Sequence, residues 1–329
     1  MPSQPDQETP DTLRGIGEGA ALLRIFPRLP AAASGLLGPG DDAAVVAAPD
    51  GRFVVTTDMM IHGPDFRLAW STPHDLGWKA AASNLSDIAA MGAVPTALVV
   101  AIAAPADSPV SLLEGIADGL RDGCEALAPG CGVVGGDLSV SPTLTIAVTA
   151  FGDLEGRAPV LRSGARAGDV VAVAGALGEA AAALGVLFAE AVDERGVPDA
   201  RLAAGLRDRT AAQLAPRPPI VLGRAAAIGG ATAMLDLSDG LGIDAGRLAS
   251  ASGIRIDFDA ARLGTDPSLA IAGGEDHSLL ATFAPDTAIP AGFRVIGRCV
   301  DGVGISVDGE PYDSTAGWDP YRGWSGIAG

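Results

Sequence analysis

The clearest pattern in the chain lies between residues 73 and 92. Gly77, Ala81, Leu85, Ile88 and Gly92 recur at helical spacing, while Lys79, Ser83, Ser86 and Asp87 fall on the other side. Thr72-Pro73-His74-Asp75 gives that helix a start, with a capping box and proline in the first turn. The spacing predicts a helix over 73–91, whose polar side is either solvated or borders a cleft. Further helices are expected over 13–26, 111–127, 177–189, 201–214, 220–228 and 240–251. Short apolar, β-rich runs predict strands over 43–47, 53–57, 97–102, 144–151, 170–174, 232–235, 254–258, 279–283, 294–300 and 303–307. Residues 1–12 read as a disordered start. A Gly- and Arg-rich stretch over 152–168 divides the rest into two mixed halves, 13–152 and 153–329. The fold class is α/β (α+β), with two mixed α/β domains.

Composition narrows the chemistry. A formal net charge of −18 disfavours a nucleic-acid partner, which needs clustered cations. No apolar run is long enough to suggest a membrane span, and the start lacks the pattern of a signal peptide. Three isolated cysteines, Cys124, Cys131 and Cys299, form no CxxC pair, which suits a cytoplasmic protein. The single lysine, Lys79, stands outside any GxxxxGK[ST] loop, so a P-loop is absent. A phosphate bound here must be neutralised by arginine, backbone N–H groups or metal ions.

Acids recur beside small residues at the expected ends of strands and turns: Asp41 and Asp42, Asp58, Asp137, Asp236 and Asp239. Singly, each fits a turn or a helix cap. Together they offer oxygen ligands from separate segments, the donor type that Mg²⁺ takes alongside substrate phosphates. Gly135-Gly136-Asp137 and Gly273-Gly274-Glu275-Asp276 pair double glycine, which allows close backbone approach, with carboxylates.

In order along the chain stand Gly40-Asp41-Asp42-Ala43, Thr56-Thr57-Asp58 and Asn84-Leu85-Ser86-Asp87-Ile88-Ala89-Ala90-Met91-Gly92. They are followed by Gly135-Gly136-Asp137, Arg162-Ser163-Gly164-Ala165, Asp236-Leu237-Ser238-Asp239-Gly240 and Gly274-Glu275-Asp276. This series resembles the thiamine-monophosphate kinases, within the aminoimidazole-ribonucleotide synthetase-like ATP-binding superfamily. The resemblance runs from about Gly17 to Trp324. It implies ATP-dependent phosphorylation of thiamine monophosphate to thiamine diphosphate, the last step of making that cofactor. It also implies an N-terminal domain whose β-sheet forms a homodimer, and a C-terminal α/β domain that completes the site. Several Mg²⁺ ions would be held by Asp42, Thr56, Thr57, Asp58, Asp87, Asp137, Asp236 and Asp239. Of these, Asp42, Asp58, Asp87, Asp137 and Asp236 would act in catalysis through the metal. ATP would meet Gly136, Asp137, Arg162 and Ser238. The thiamine moiety would meet Glu275 and Trp318, where an indole suits a flat thiazolium cation. Asp65 stands where the family often has histidine at the substrate, and as an acid it would still meet the cationic substrate; His277-Ser278 replace an aromatic and an acid after Glu275-Asp276, and Ala117 replaces an aromatic.

The chemistry agrees with such a site. Phosphoryl transfer between two anions is chiefly a matter of positioning and charge neutralisation. The acceptor oxygen is already ionised, so the three scattered histidines, His62, His74 and His277, need not form a triad. Two other readings stay open: another ATP- and Mg²⁺-dependent synthetase of the superfamily, or a non-catalytic acidic metal-binding protein.

Overall fold

The computed structural model describes residues 11–37 and 44–312. The first half opens with α1 (Leu13–Ile25), capped by Thr12, whose Oγ1 accepts from Gly15 N. A small antiparallel pair, β1 (Gly35–Leu37) and β2 (Val45–Val46), follows. Then come β3 (Val54–Ile61), α2 (Pro73–Ala90), β4 (Val94–Ala104), α3 (Val110–Leu127), β5 (Gly132–Val140) and β6 (Thr145–Asp153). They build a four-stranded sheet in the order β3-β6-β4-β5. β4 and β5 run parallel, joined by α3, whereas the other pairs are antiparallel.

The second half contains β7 (Val170–Ala174), α4 (Glu179–Glu190), α5 (Ala200–Ala204), α6 (Arg207–Leu214), α7 (Ile220–Ile228) and β8 (Ala231–Leu237). It continues through α8 (Leu241–Ser252), β9 (Arg255–Phe258), α9 (Pro267–Ala272), β10 (Ser278–Phe283), β11 (Phe293–Val300), β12 (Gly304–Val307) and β13 (Glu310–Tyr312). Its seven-stranded sheet has the order β13-β12-β9-β11-β7-β10-β8. Among the described residues no helix is long and apolar enough to cross a membrane.

The helix α2 joins the two halves. It packs on β3, β6 and β4, runs beside α3, and touches α7, β8 and β10 of the second half. The expected capping box is present: Thr72 Oγ1 accepts from Asp75 N, and Asp75 Oδ2 accepts from Thr72 N. Two close approaches explain its glycine contacts. A Cβ on Gly77 would overlap the Ile116 carbonyl, and one on Gly119 of α3 would overlap the His74 carbonyl. The helices therefore meet backbone to backbone over that stretch.

Several elements differ from the sequence expectation. Lys79, Ser83 and Ser86 do not face water; they are buried, because the second half covers the polar side of α2. Asp58, Asp137 and Asp236 lie inside strands rather than at their ends, since β3, β5 and β8 continue past each acid wherever a neighbouring strand pairs with the backbone. The Gly135-Gly136-Asp137 string is likewise strand, with a Cβ on Gly136 excluded by the Val100 carbonyl. The helix expected over 201–214 is two helices, interrupted at Gly205-Leu206. α9 and β13 are additional.

Gly119→Ala is expected to cost about 1–3 kcal/mol, the usual penalty for overpacking, read as a lowered urea midpoint. Gly19→Ala, where the added methyl meets nothing within 4 Å, should leave the midpoint unchanged or slightly higher. Equal midpoints for the two variants would contradict the backbone-to-backbone contact.

Candidate functional site

Three acids from separate elements meet where the halves join. β3 alternates along its length. Val55, Thr57 and Met59 are exposed, whereas Met60 is buried, and Thr56 turns inward to donate from Oγ1 to Asp87 Oδ2 of α2 at 2.8 Å. Asp58 shares the inward parity of Thr56 and Met60. From β8 comes buried Asp236, whose Oδ2 accepts from Ser86 Oγ at 3.1 Å and lies 3.4 Å from His277 Nδ1. The Asp87 carboxyl is pushed up to about 6, first by burial and then by the negative charge of Asp236, with Asp58 adding to the effect. Thr56 Oγ1 and His277 offset part of that rise. His277 in turn is raised despite its burial, chiefly by its contact with Asp236. The cluster thus holds more negative charge than its own cations and hydroxyls neutralise, which fits an added divalent cation. Among the described residues, no group of three or more His, Cys, Asp or Glu could by itself hold a metal ion. Oxygen atoms of a bound phosphate would have to complete any coordination shell.

Next to the cluster lies a cavity of about 270 Å³. Asp65 and Glu275 both line it, together with Phe66, Trp70, Phe188 and Lys79. Asp65 Oδ2 accepts from Ile61 N at 2.7 Å, and its carboxyl is raised by burial and by the nearby charges of Glu275 and Asp58. The Arg67 guanidinium stacks on Trp70 and Phe188 at 4.6 and 4.7 Å. Glu275 is paired with Lys79 Nζ at 3.0 Å and accepts from Gln213 Nε2.

Gly136 and Asp137 line a separate cavity of about 610 Å³ with Glu18, Phe26 and Ala117. Ser238 and Asp239 follow β8, and both backbone N–H groups donate to Asp244 Oδ2, at 3.1 and 3.0 Å. Asp244 is pushed up to about 6, mainly by burial.

The structure does not bring every expected residue to the acidic cluster. The Thr57 side chain is on the outer face, where its Oγ1 donates to Val148 O and accepts from Thr149 Oγ1. Asp239 is already neutralised by Arg247 at 2.7 Å. Arg162 is exposed on a segment running along the free edge of β8. Asp42 and Trp318 lie outside the described residues.

Residues that sequence reasoning did not single out complete the arrangement: Ser86, Gln213, Asp244, Trp70 and Phe188. Ser86 sits inside the long motif string, so it was visible there. Gln213 gave no signal, because only the fold carries α6 to Glu275.

Linkage gives a test of the crowded acids. A carboxyl with a folded pKa near 6 binds more protons folded than unfolded between pH 4 and 6. The Asp87 contribution to stability therefore falls as pH rises through that window and is flat above it. In protein stripped of divalent cations with EDTA, Asp87→Asn should reduce this slope, leaving the share of Asp244, and gain on the order of 2 kcal/mol at pH 7. Denaturant unfolding at pH 4.5 and 7 reads both; a variant with the wild-type slope would refute the crowding.

Comparison with known proteins identifies the family. Residues 40–154 match the family model described as AIR synthase related protein, N-terminal domain. A thiamine-monophosphate kinase from Mycobacterium tuberculosis is 47% identical over 326 residues, covering 94% of this chain and 93% of that protein. A crystal structure of thiamine-monophosphate kinase from Stenotrophomonas maltophilia superposes with a TM-score of 0.72 at 31% identity, covering 89% of this chain and 96% of that one. A structure described as AaThiL complexed with AMPPCP and TMP gives a TM-score of 0.70 at 33% identity, covering 84% and 90%. With near-complete coverage at this identity, the chain belongs to the thiamine-monophosphate kinase family.

Proposed function

We propose that this chain transfers the γ-phosphoryl group of ATP to thiamine monophosphate, giving thiamine diphosphate and ADP. The observation that carries the reading is the adjacency of two sites. One is the acidic cluster of Asp58, Asp87 and Asp236; the other is the cavity walled by Asp65, Glu275 and aromatic side chains. The AaThiL structure complexed with an ATP analogue and TMP supports it.

In this reading Thr56, Asp58, Asp87 and Asp236 hold Mg²⁺, with Asp42 and Asp137 contributing from the 40–43 segment and β5. These residues would hold Mg²⁺, which when bound would supply neutralisation of the phosphate charge. The protein's own residues do the rest. Thr56 and Ser86 orient Asp87 and Asp236 through hydroxyl hydrogen bonds. Asp65 and Glu275 supply carboxylates for the cationic substrate, while Phe66, Trp70 and Phe188 provide apolar wall. The cavity beside Gly136, Asp137 and Ala117 has room for a nucleoside. Ser238 and Arg162 are the remaining ATP contacts of this reading and Asp239 its outer metal contact, whereas the Thr57 side chain, on the outer face of β3, is not one. Trp318, outside the described residues, is the remaining thiamine contact of this reading. The acceptor phosphate oxygen forms the new P–O bond as the bond to ADP breaks, with no base and no phosphoenzyme.

A homodimer in the cytoplasm completes the proposal. The outer face of β3 leaves Val55 and Met59 each 53% exposed on an edge strand, an apolar surface that a second copy would cover.

ADP release should depend on thiamine monophosphate and not on thiamine or a nucleoside monophosphate; equal turnover with all three would remove the substrate assignment. Asp58→Asn and Asp87→Asn are each expected to lower that rate by about 100-fold or more with an unchanged far-ultraviolet circular dichroism spectrum. Near-native rates would end the metal-cluster reading. Met59→Lys with Val55→Lys should halve the mass seen by sedimentation, and an unchanged mass would exclude this face as the interface.

A further inference from the structure

The turn between α9 and β10 is held in an unfavourable shape. Glu275 and His277 have φ of 65° and 50°, a region that side-chain-bearing residues rarely adopt. Neighbouring groups hold each of its residues. Glu275 N donates to Ser238 O at 2.8 Å, and His277 N donates to Leu237 O at 2.9 Å. Asp276 accepts from Gly178 N and Ala180 N at the start of α4, at 2.5 and 2.8 Å. Gly274 is tight as well: a Cβ there would stand 2.6 Å from Ser238 O.

The side chain of Glu275 is held by two other elements. Lys79 Nζ of α2 lies 3.0 Å from Oε1, and Gln213 Nε2 of α6 donates to Oε2. Lys79 is the chain's single lysine, and its side chain is 7% exposed. A buried ammonium is costly unless paired, and among the described residues Glu275 is its ion-pair partner. Lys79 lies eight residues before Asp87 on the same helix, while His277, two residues after Glu275, reaches Asp236. The turn and α2 therefore connect the acceptor cavity to the acidic cluster at two points.

We infer that Lys79 is a positioning residue for the acceptor: with Gln213 it clamps Glu275 at its left-handed backbone angle and so fixes the carboxylate wall of the thiamine cavity. The inference rests on the proposed function only for naming the acceptor. Lys79 touches neither ATP nor the transferred phosphoryl group in this view. Its ammonium is in ion-pair contact with Glu275 and acts on Asp65 through the electrostatic field alone.

The test uses the full chain and the variants Lys79→Met, Lys79→Arg and Gln213→Leu. Lys79→Met keeps an apolar stem of similar length and removes the charge. The KM for thiamine monophosphate should rise about tenfold, the loss of one charge-assisted hydrogen bond, with kcat and the KM for ATP within about twofold. Lys79→Arg should recover part of the loss. Gln213→Leu, which keeps the lysine, should shift the same KM in the same direction and serves if Lys79→Met does not fold. Equal shifts in both KM values, or a fall in kcat alone, would overturn the assignment. A second readout needs no turnover. Amide exchange at Glu275 and His277, whose N–H groups are hydrogen-bonded, should quicken about tenfold in Lys79→Met and stay unchanged over 84–90. Unchanged exchange at these two amides would refute the clamp, whereas wild-type protein inactive on thiamine monophosphate would refute only the functional reading.

Discussion

Carboxylates crowded against one another in a partly buried cleft set the main physical constraint on this structure. Asp58, Asp87 and Asp236 come from β3, α2 and β8, and their repulsion is softened by the Met59 N–H on Asp58, the Thr56 hydroxyl on Asp87, and the Ser86 hydroxyl and His277 imidazole on Asp236. Burial alone raises the Asp87 carboxyl, and Asp236 raises it further. A fold that assembles such a group without neutralising it has stored unfavourable charge where a cation would relieve it. The stored charge is also useful for phosphoryl transfer, where the main obstacle is the mutual repulsion of the reactants.

The cleft exists because α2 is a shared pillar. Its apolar side fills the core of the first half, and its polar side is covered by β8, β10 and α7 of the second. A solvated helix would tolerate Lys79, Ser83, Ser86 and Asp87 at no cost. A buried one must find each a partner: Lys79 takes Glu275, Ser83 bonds the Lys79 carbonyl, and Ser86 takes Asp236. The close approach to α3 at Gly77 and Gly119 keeps this helix in place. Positioning of the catalytic carboxylates and stability of the core thus depend on the same eighteen-residue element.

Much of this was legible beforehand. The capping box at Thr72 and Asp75 marks the start of α2, and local chemistry alone fixes it. The strand Val170–Ala174 and the helix Ile220–Ile228 have the bounds that their apolar runs predict. Asp65 and Glu275 line one cavity although 209 intervening residues separate them in the chain. Asp58 was harder to place. A polar residue after an apolar run reads as a strand end, yet β6 pairs with β3 through Ile61, so the strand continues and alternation puts Asp58, still exposed, on the side of Thr56 and Met60. The same alternation turns the Thr57 side chain away from Asp87, which no motif string could reveal.

By itself, the sequence determined the helix start at Thr72, most of the helices and strands, the excess of acids and the motif series that marks the family. Each of these depends on residues close together in the chain, where spacing and side-chain chemistry suffice. Only the tertiary structure decided which acids meet, that the polar side of α2 is covered, and that Lys79 and Gln213 hold Glu275. Those outcomes depend on two halves docking across α2, and a burial made by distant segments leaves no periodic trace in either one.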